Sequence, residues 1–590
     1  MALRVMDVLD RAARQWPDGA AMRSKRAGAW RTITWPEYRA QARLVARGFM
    51  ALGLEPAGCV TIIGFNCPEW FLADVGAIYA GGVPAGIYST SSAEQCAWIA
   101  SHCEARIAVV ENADQLRKFL AVRDRLPSLR AIVVMHGDPG MPADAGVHSW
   151  PRLLELGASV GDDALDARIA PQQSDDVCTL IYTSGTTGEP KGVMLSHDNL
   201  TFTADTARDL GLHPGDVVIS YLPLSHIAEQ IVSLHGPMAF GMTTAFAESM
   251  ETLGENLREV RPTHFVAVPR VWEKIQERME MVGAASPAWR RKLVRWARGV
   301  GLAGGYADQR GERRPTLYPV ANALVFRTVR HRLGLDRARL LVTSAAPISR
   351  ATLEFFLSLG LPISEVYGMS ECSGPATRAD AVAYRTGKTG VALPGTELRI
   401  AADGEICMRG RHVFKGYFKN PAATAETIDA EGWLHSGDIG TIDAEGFLEV
   451  TDRKKELIIT AGGENVAPQL VEGVIKGIPV VSQAFVVVDR RRYVAALLTL
   501  DPQKVSSVAR ECGSPAKDIE SAVCCEAFHA YLQQEIDGVN QRLSRVQAVK
   551  RFALIPDEFT IEGGELTPTL KLRRKAIAEK YRDVIERLYA

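Results

Sequence analysis

Ten cysteines are scattered through 590 residues, and no two form a Cys-x-x-Cys pair; the closest couple is the adjacent Cys524 and Cys525. That spacing argues against a disulfide frame or a cysteine zinc site and suits reduced thiols in a cytosolic protein. A net charge is lacking too: 68 Lys and Arg against 69 Asp and Glu leave −1, so no global attraction to nucleic acid is encoded. No run of about 18 uncharged apolar residues occurs, which argues against a transmembrane helix. The opening "MALRVMDVLDRAARQWPDG" interrupts every apolar run with polar residues and lacks the apolar core of a signal peptide. Repeats and low-complexity tracts are missing as well. What is left is the composition of a globular protein, 47% hydrophobic and 23% charged, too long for one core. The expected location is cytoplasmic, with at most peripheral contact on the inner face of a membrane.

Short apolar runs bounded by turn residues alternate with helical periodicity. "CVTIIGFN" (Cys59 to Asn66), "ARIAVVEN" (Ala105 to Asn112), "LRAIVVMHG" (Leu129 to Gly137), "HFVAVP" (His264 to Pro269) and "ARLLVTSAAP" (Ala338 to Pro347) read as buried strands, and "FLADVGAIYAGG" reads as a helix between them. This alternation predicts an α/β architecture with largely parallel sheets. From Gly404 the texture changes to short strands and Gly/Asp turns, then to a smaller, more antiparallel region ending in the charged helix "KLRRKAIAEKYRDVIERLYA". A boundary in "TDRKKE" (Thr451 to Glu456) gives a large domain over 1–452 and a small α+β domain over 453–590. One segment, Trp289 to Arg314, is rich in arginine with only two acidic residues. Its first part predicts a basic amphipathic helix carrying Trp289, Leu293, Trp296 and Val300. Two readings stand: a helix resting on an anionic membrane, or one packed on its own domain.

The densest chemical signal is "YTSGTTGEPKGV", Tyr182 to Val193. It follows the apolar strand "CTLIY", and a helix start with Ser196 as N-cap is expected after it. Glycines let backbone N–H groups converge on an anion, the hydroxyls of Thr183, Ser184, Thr186 and Thr187 add donors, and Lys191 adds charge. The spacing is not that of a Walker loop, G-x-x-x-x-G-K-[ST]. A plain turn needs one or two such residues, so phosphate binding is the favoured reading, with a surface loop as the alternative.

This motif resembles the phosphate loop of the AMP-forming adenylating enzymes, the group of acyl-CoA synthetases, luciferases and peptide-synthetase adenylation domains. "YLPLSHIAEQ", "VTSAAPIS", "VYGMSECSGP", "GEICMRG", "GWLHSGDIG", "TDRKKELIITAGGENVAP" and "LTPTLKLRRK" resemble the family's successive blocks in order, over nearly the whole chain. The resemblance implies a large N-terminal domain of several layers and a smaller, mobile C-terminal domain. It also implies ATP, Mg²⁺ and, for a synthetase, coenzyme A as reactants or cofactors.

Residue by residue, the resemblance implies a clamp on the triphosphate from Thr183, Ser184, Gly185, Thr186, Thr187, Gly188 and Lys191. It makes Glu371 the Mg²⁺ ligand. Tyr367, Gly368, Met369 and Ser370 would wall the adenine and acyl phosphate, with serine at 370 where the family more often has threonine. Ser344, Ala345 and Ala346 would line the other side of the base, against a plain reading as strand-end packing. Asp438 matches the acceptor of both ribose hydroxyls, whose two oxygens suit a cis-diol. Arg453 matches a second ribose contact, preceded here by Asp452 instead of the family's frequent glycine. Lys455 matches the hinge about which the small domain swings. Lys571, after Leu570 instead of the usual glycine, matches the lysine bridging carboxylate and α-phosphate, with Arg573 and Lys575 as competitors. His226 matches a residue closing over the acyl carboxylate, and a buried structural histidine is its alternative.

"RPTHFVAVPRVWEKI" and "ITAGGENVAP" resemble the long-chain fatty acyl-CoA synthetases, in particular their bubblegum-type branch. The implied reaction converts fatty acid and ATP to acyl-AMP and pyrophosphate, after which CoA displaces AMP. The alternative is a fatty acyl-AMP ligase that hands the acyl group to a carrier protein. Such enzymes typically carry an insertion that restrains the small domain, and none is evident after Arg453.

Overall fold

In the computed structural model the fold is described for residues 2–138, 140, 146–183, 189–379, 384–454, 458–459, 465–466, 468–488, 491, 493–560, 562–566 and 572–590. The run CVTII forms a strand, Cys59–Ile63, whose five residues are all buried. Such continuous burial belongs to a parallel strand covered on both faces. On one side it pairs with Val83–Ile87, and on the other with Ile107–Val110, Ala131–Val134 and Val147–Ser149 in turn, all parallel. Val177–Thr183 extends the sheet in parallel beyond Val83–Ile87. Because the chain leaves Cys59–Ile63 first to one side and then to the other, its connecting helices lie on opposite faces. The helix Pro68–Tyr79 is mostly apolar and buried at every position except Glu69, as expected of a helix with no solvent face. Its Phe71 meets Phe246 edge-on at 4.9 Å between centroids, where the second sheet begins.

That second sheet has seven strands, ordered Ile363–Glu365, Leu340–Thr343, His264–Ala267, Val217–Ser220, Thr243–Phe246, Ala20–Arg26 and Ala29–Thr34. All neighbours are parallel except the terminal hairpin. The expected strands at 59, 105, 129, 264 and 338 are therefore all present, shortened where Gly, Asn and Pro end the extended run. The architecture is the α/β class that strand–helix alternation predicts.

After residue 395 a four-stranded antiparallel sheet forms from Thr396–Ile400, Glu405–Gly410, Leu434–Ile442 and Leu448–Arg453. Beyond it, Val481–Val487, Val494–Leu500 and Val549–Ile555 make a three-stranded sheet with its own apolar core. Arg270 reaches Ser482 at 3.4 Å, and Lys476 stands 3.9 Å from Glu273, so the two parts touch through polar contacts. The charged terminal helix differs from expectation. It is two helices, Arg574–Lys580 and Arg582–Tyr589, broken at Tyr581, whose φ is −105°.

The arginine-rich segment is helical over Ala288–Gln309. Leu293, Trp296 and Val300 pack onto the second sheet's core, while Trp289 is 69% exposed. A Cβ on Gly301 would lie 2.1 Å from the Ser358 carbonyl oxygen, so glycine there lets the helix press against its neighbour. The apolar side of this helix is thus occupied by its own domain. No helix among the described residues is long and apolar enough to cross a membrane.

Candidate active site

The stretch expected to run strand, loop, helix contains an additional strand. Lys191–Ser196 pairs antiparallel with Val177–Thr183, placing Lys191 opposite Thr183, so these two strands form a hairpin. Ser196 is the N-cap of the next helix, its side chain accepting from Asn199 N, as expected. The short apolar run Val193–Leu195, not read from the sequence as a strand, is the signal for it. Its far edge is covered by Gly416–Tyr417, also antiparallel. Through this pairing the Tyr417 ring lies under the Lys191 ammonium, 4.7 Å from centroid to Nζ, an attractive arrangement.

The Tyr417 hydroxyl donates to Glu371 Oε1 at 2.7 Å. Glu371 sits on a tight turn, Ser370–Cys372, and is 8% exposed. Burial pushes its carboxyl pKa up, while the Tyr417 hydrogen bond and the nearby Arg453 and Lys191 charges oppose the rise. One buried acid and one cation thus share an aromatic support. Tyr417 is absent from the sequence-derived set: "FKGYFKNP" has no periodicity that marks it.

Tyr367 is the second support. Its hydroxyl donates to Asp438 Oδ2 at 2.7 Å, and Arg453 Nε lies 3.1 Å from Asp438 Oδ1. Asp438 and Arg453 face each other in the register of adjacent strands, which is why residues 15 apart in sequence meet. Gly368 follows Tyr367 directly, and a Cβ there would stand 1.9 Å from the Gly374 carbonyl oxygen. No other residue fits. Across the cavity, Ser344 Oγ donates to Val366 O at 3.0 Å. Ala345 has φ +75°, a left-handed conformation that costs a non-glycine residue about 1–2 kcal/mol. Ser344, Ala345 and Ala346 all border the cavity.

His226 caps a short helical turn, with its Nδ1 accepting from Ala228 N at 3.2 Å. A π-helical stretch, Gln230–His235, continues from it; such stretches recur at functional sites. Behind it lies a buried cluster absent from the sequence reading. Glu229 accepts from Ser220 Oγ and Ser233 Oγ, each at 2.6 Å, and from Asn66 Nδ2 at 3.3 Å. Burial raises the Glu229 pKa to about 8. Asn66 lies in the bend that follows the first sheet's strand Cys59–Ile63, and Ser220 ends a strand of the second, so this cluster ties the two sheets together beneath His226.

One cavity of about 2790 Å³ collects these groups. Thr183, Lys191, His226, Ser344, Ala345, Ala346, Tyr367, Gly368, Met369, Ser370, Glu371, Asp438 and Arg453 all line it. Ala204, Ala207, Leu210, Leu212, Val218, Ile231 and Met242 add a long apolar stretch to the same walls, and Lys476, Arg573, Arg574 and Lys575 of the C-terminal part close another. Ser184, Gly185, Thr186, Thr187, Gly188, Lys455 and Lys571 lie outside the described residues. Lys454, just before Lys455, is anchored by ion pairs at 2.6 Å to Asp403 and 2.9 Å to Glu405.

Comparison with known proteins adds independent findings. The profile of the AMP-binding enzyme family matches residues 9–418, and that of the AMP-binding enzyme C-terminal domain matches residues 455–590. Over 607 aligned positions the chain is 44% identical to the long-chain-fatty-acid–CoA ligase ACSBG2 of Xenopus laevis, covering 98% of this chain and 82% of that one. It is 40% identical over 606 positions to the long-chain-fatty-acid–CoA ligase ACSBG1 of Homo sapiens, covering 98% and 84%. In fold it resembles the adenylation domain of a carboxylate reductase from Mycobacterium chelonae, with TM-score 0.77, 22% identity and coverage of 100% and 91%. ATP-bound MatB from Rhodopseudomonas palustris is similar, with TM-score 0.72, 21% identity and coverage of 99% and 100%.

Proposed function

The chain belongs to the AMP-binding enzyme family, and from that premise we propose that it is a long-chain fatty acid–CoA ligase working in two steps. The carrying observation is a single cavity that joins the Lys191–Tyr417–Glu371 assembly and the Tyr367–Asp438–Arg453 assembly to a long apolar wall. An anionic nucleotide and an aliphatic acid are the two ligand types such a cavity suits.

In the first step a carboxylate oxygen attacks the α-phosphorus of ATP, and the bond to pyrophosphate breaks. Two anions must approach each other, so charge neutralisation decides the rate. Lys191 and Ser184–Gly188 hold the outer phosphates, Asp438 and Arg453 hold the ribose, and Lys571 bridges carboxylate and α-phosphate. Ser344, Ala345 and Ala346 face Tyr367, Gly368, Met369 and Ser370 across the base. Mg²⁺ would suit this place as a hard cation, and Glu371, its carboxylate fixed by Tyr417, would hold it. When bound, the ion neutralises phosphate charge. In the second step the CoA sulfur attacks the acyl carbon and AMP leaves, His226 lying beside the carbonyl. The small domain turns about Lys455 between the steps, against the anchored Lys454.

Product analysis tests the proposal. Fatty acids of increasing length are incubated with ATP, Mg²⁺ and CoA, comparing wild type with Lys571→Ala. Acyl-CoA and AMP from long-chain acids, abolished in the variant, are expected; acyl-AMP accumulating equally with and without CoA would indicate transfer to a carrier protein instead. Membrane contact is proposed only at the exposed end of the basic helix. Trp289 there lies near Met281 and Val282 in sequence, these being 47% and 62% exposed, and Arg290 and Arg291 follow it.

A further inference from the structure

In the first sheet the strand order reverses at Cys59–Ile63, between Val83–Ile87 and Ile107–Val110. The crevice outside the carboxyl ends of strands at such a reversal is where open α/β sheets bind ligands. Here the chain emerging from Cys59–Ile63 brings Cys67 and Glu69, and the chain emerging from Ala131–Val134 brings Met135 and His136. The latter two stay in parallel register beyond the strand, Met135 N donating to Val110 O and His136 N to Glu111 O, each at 2.8 Å.

One ligand-type atom each of Cys67, Glu69 and His136 lies within 4.8 Å of the others. Cys67 Sγ stands 3.7 Å from Met135 Sδ, and His136 Nε2 stands 4.0 Å from Glu69 Oε2. Ligands about 2.0–2.3 Å from a shared tetrahedral ion are separated by roughly 3.3–3.8 Å, so small side-chain adjustments suffice. Arg26 holds Glu69 Oε1, whereas Glu69 Oε2 is buried without a hydrogen-bond partner. An orphaned buried carboxylate oxygen is costly, and a cation removes the cost. In the other comparable cluster, Glu405, Cys407 and His435, both carboxylate oxygens are taken, Oε2 by the Lys454 ammonium at 2.9 Å and Oε1 by Gly437 N at 2.8 Å.

We propose that Cys67, Glu69 and His136 form a site for a thiophilic divalent cation, zinc by its thiolate, imidazole and carboxylate preference. None of the three lines the large cavity, so the site is separate from adenylation. Cys67 loses its thiol proton to solvent as the sulfur–metal bond forms, with no change in oxidation state. Asn66 immediately before it donates to Ser220 Oγ at 2.8 Å and Leu222 O at 2.7 Å. A bound ion therefore stiffens the turn that fastens the first sheet to the second.

The test titrates the full-length protein with Zn²⁺ against a chromophoric chelator, and separately with Cd²⁺, following the thiolate-to-Cd²⁺ charge-transfer absorption. One ion per chain is expected, with a rise in Tm. His136 is partly exposed, so His136→Gln keeps the fold; it is expected to weaken binding by about 100-fold or more, since even indirect partners of a metal cost 10–100-fold. Cys67→Ser is expected to abolish the Cd²⁺ absorption, and Cys407→Ser to leave both readouts unchanged. Absence of stoichiometric binding, or binding unchanged in His136→Gln and Cys67→Ser, overturns the proposal.

Discussion

Replacing Tyr417 by phenylalanine isolates one atom of the site. The ring stays, and with it the contact to Lys191 4.7 Å away; only the hydroxyl donating to Glu371 at 2.7 Å is lost. A hydrogen bond to a buried charged acceptor is worth about 1.5–3 kcal/mol. Its removal raises the Glu371 carboxyl pKa further. The direction is fixed by the structure: burial already lifts this group and Tyr417 opposes the lift. A carboxylate is the form that holds Mg²⁺, so activity is lost on the acid side. Fatty-acid-dependent pyrophosphate release, measured against pH at low and saturating Mg²⁺, is expected to show its acid limb moved upward in Tyr417→Phe. Below that limb kcat/KM falls by about 10- to 100-fold, the worth of a hydrogen bond to a charged group, and high Mg²⁺ restores part of it. An acid limb that stays in place, with activity within twofold of wild type, would refute Glu371 as the group and Tyr417 as its support.

Other consequences are as direct. Gly368→Ala must push the Gly374 carbonyl away from a contact of 1.9 Å; a loss of about 1–3 kcal/mol in stability and strongly reduced adenylation are expected, by denaturant melts and pyrophosphate release. Glu229, with its pKa raised to about 8, is protonated in the fold and ionised in the unfolded chain at neutral pH. Its contribution is fully present below the unfolded pKa, near 4.5, and is lost as pH rises toward 8, about 3 kcal/mol by pH 7. Glu229→Gln is expected to flatten that part of the stability–pH curve; an unchanged slope would contradict a neutral Glu229. Replacing Trp289, Arg290 and Arg291 by serine is expected to reduce sedimentation with anionic liposomes while leaving turnover in detergent unchanged, and unaltered sedimentation would sink the membrane contact.

What was legible beforehand was whatever local pattern encodes. Continuous apolar runs such as CVTII announced parallel buried strands, and ordered motifs announced Lys191, Glu371, Asp438 and Arg453 long before these residues met in one cavity. What escaped depended on pairing across distance. The hairpin strand Lys191–Ser196 was hidden because the glycine-rich segment before it reads equally well as an entry to a helix. Tyr417 reaches Glu371 only because its two-residue strand pairs with Val193 and Met194. Glu229 looked like one more polar residue in "SHIAEQ" until Ser220 and Asn66 closed around it. The cysteine spacing gave no hint of Cys67 beside His136, since the two lie on chain segments joined only by sheet order. The basic helix was ambiguous for a different reason: amphipathicity marks an apolar face without saying what covers it, and here the core does.

The most direct test of a two-step adenylating cavity is ATP–pyrophosphate exchange in the absence of CoA. Labelled pyrophosphate is expected to enter ATP only when a long-chain fatty acid and Mg²⁺ are both present, and the exchange should vanish in Glu371→Gln. Failure of exchange without CoA, or formation of ADP and phosphate in place of AMP and pyrophosphate, would contradict the account at its centre.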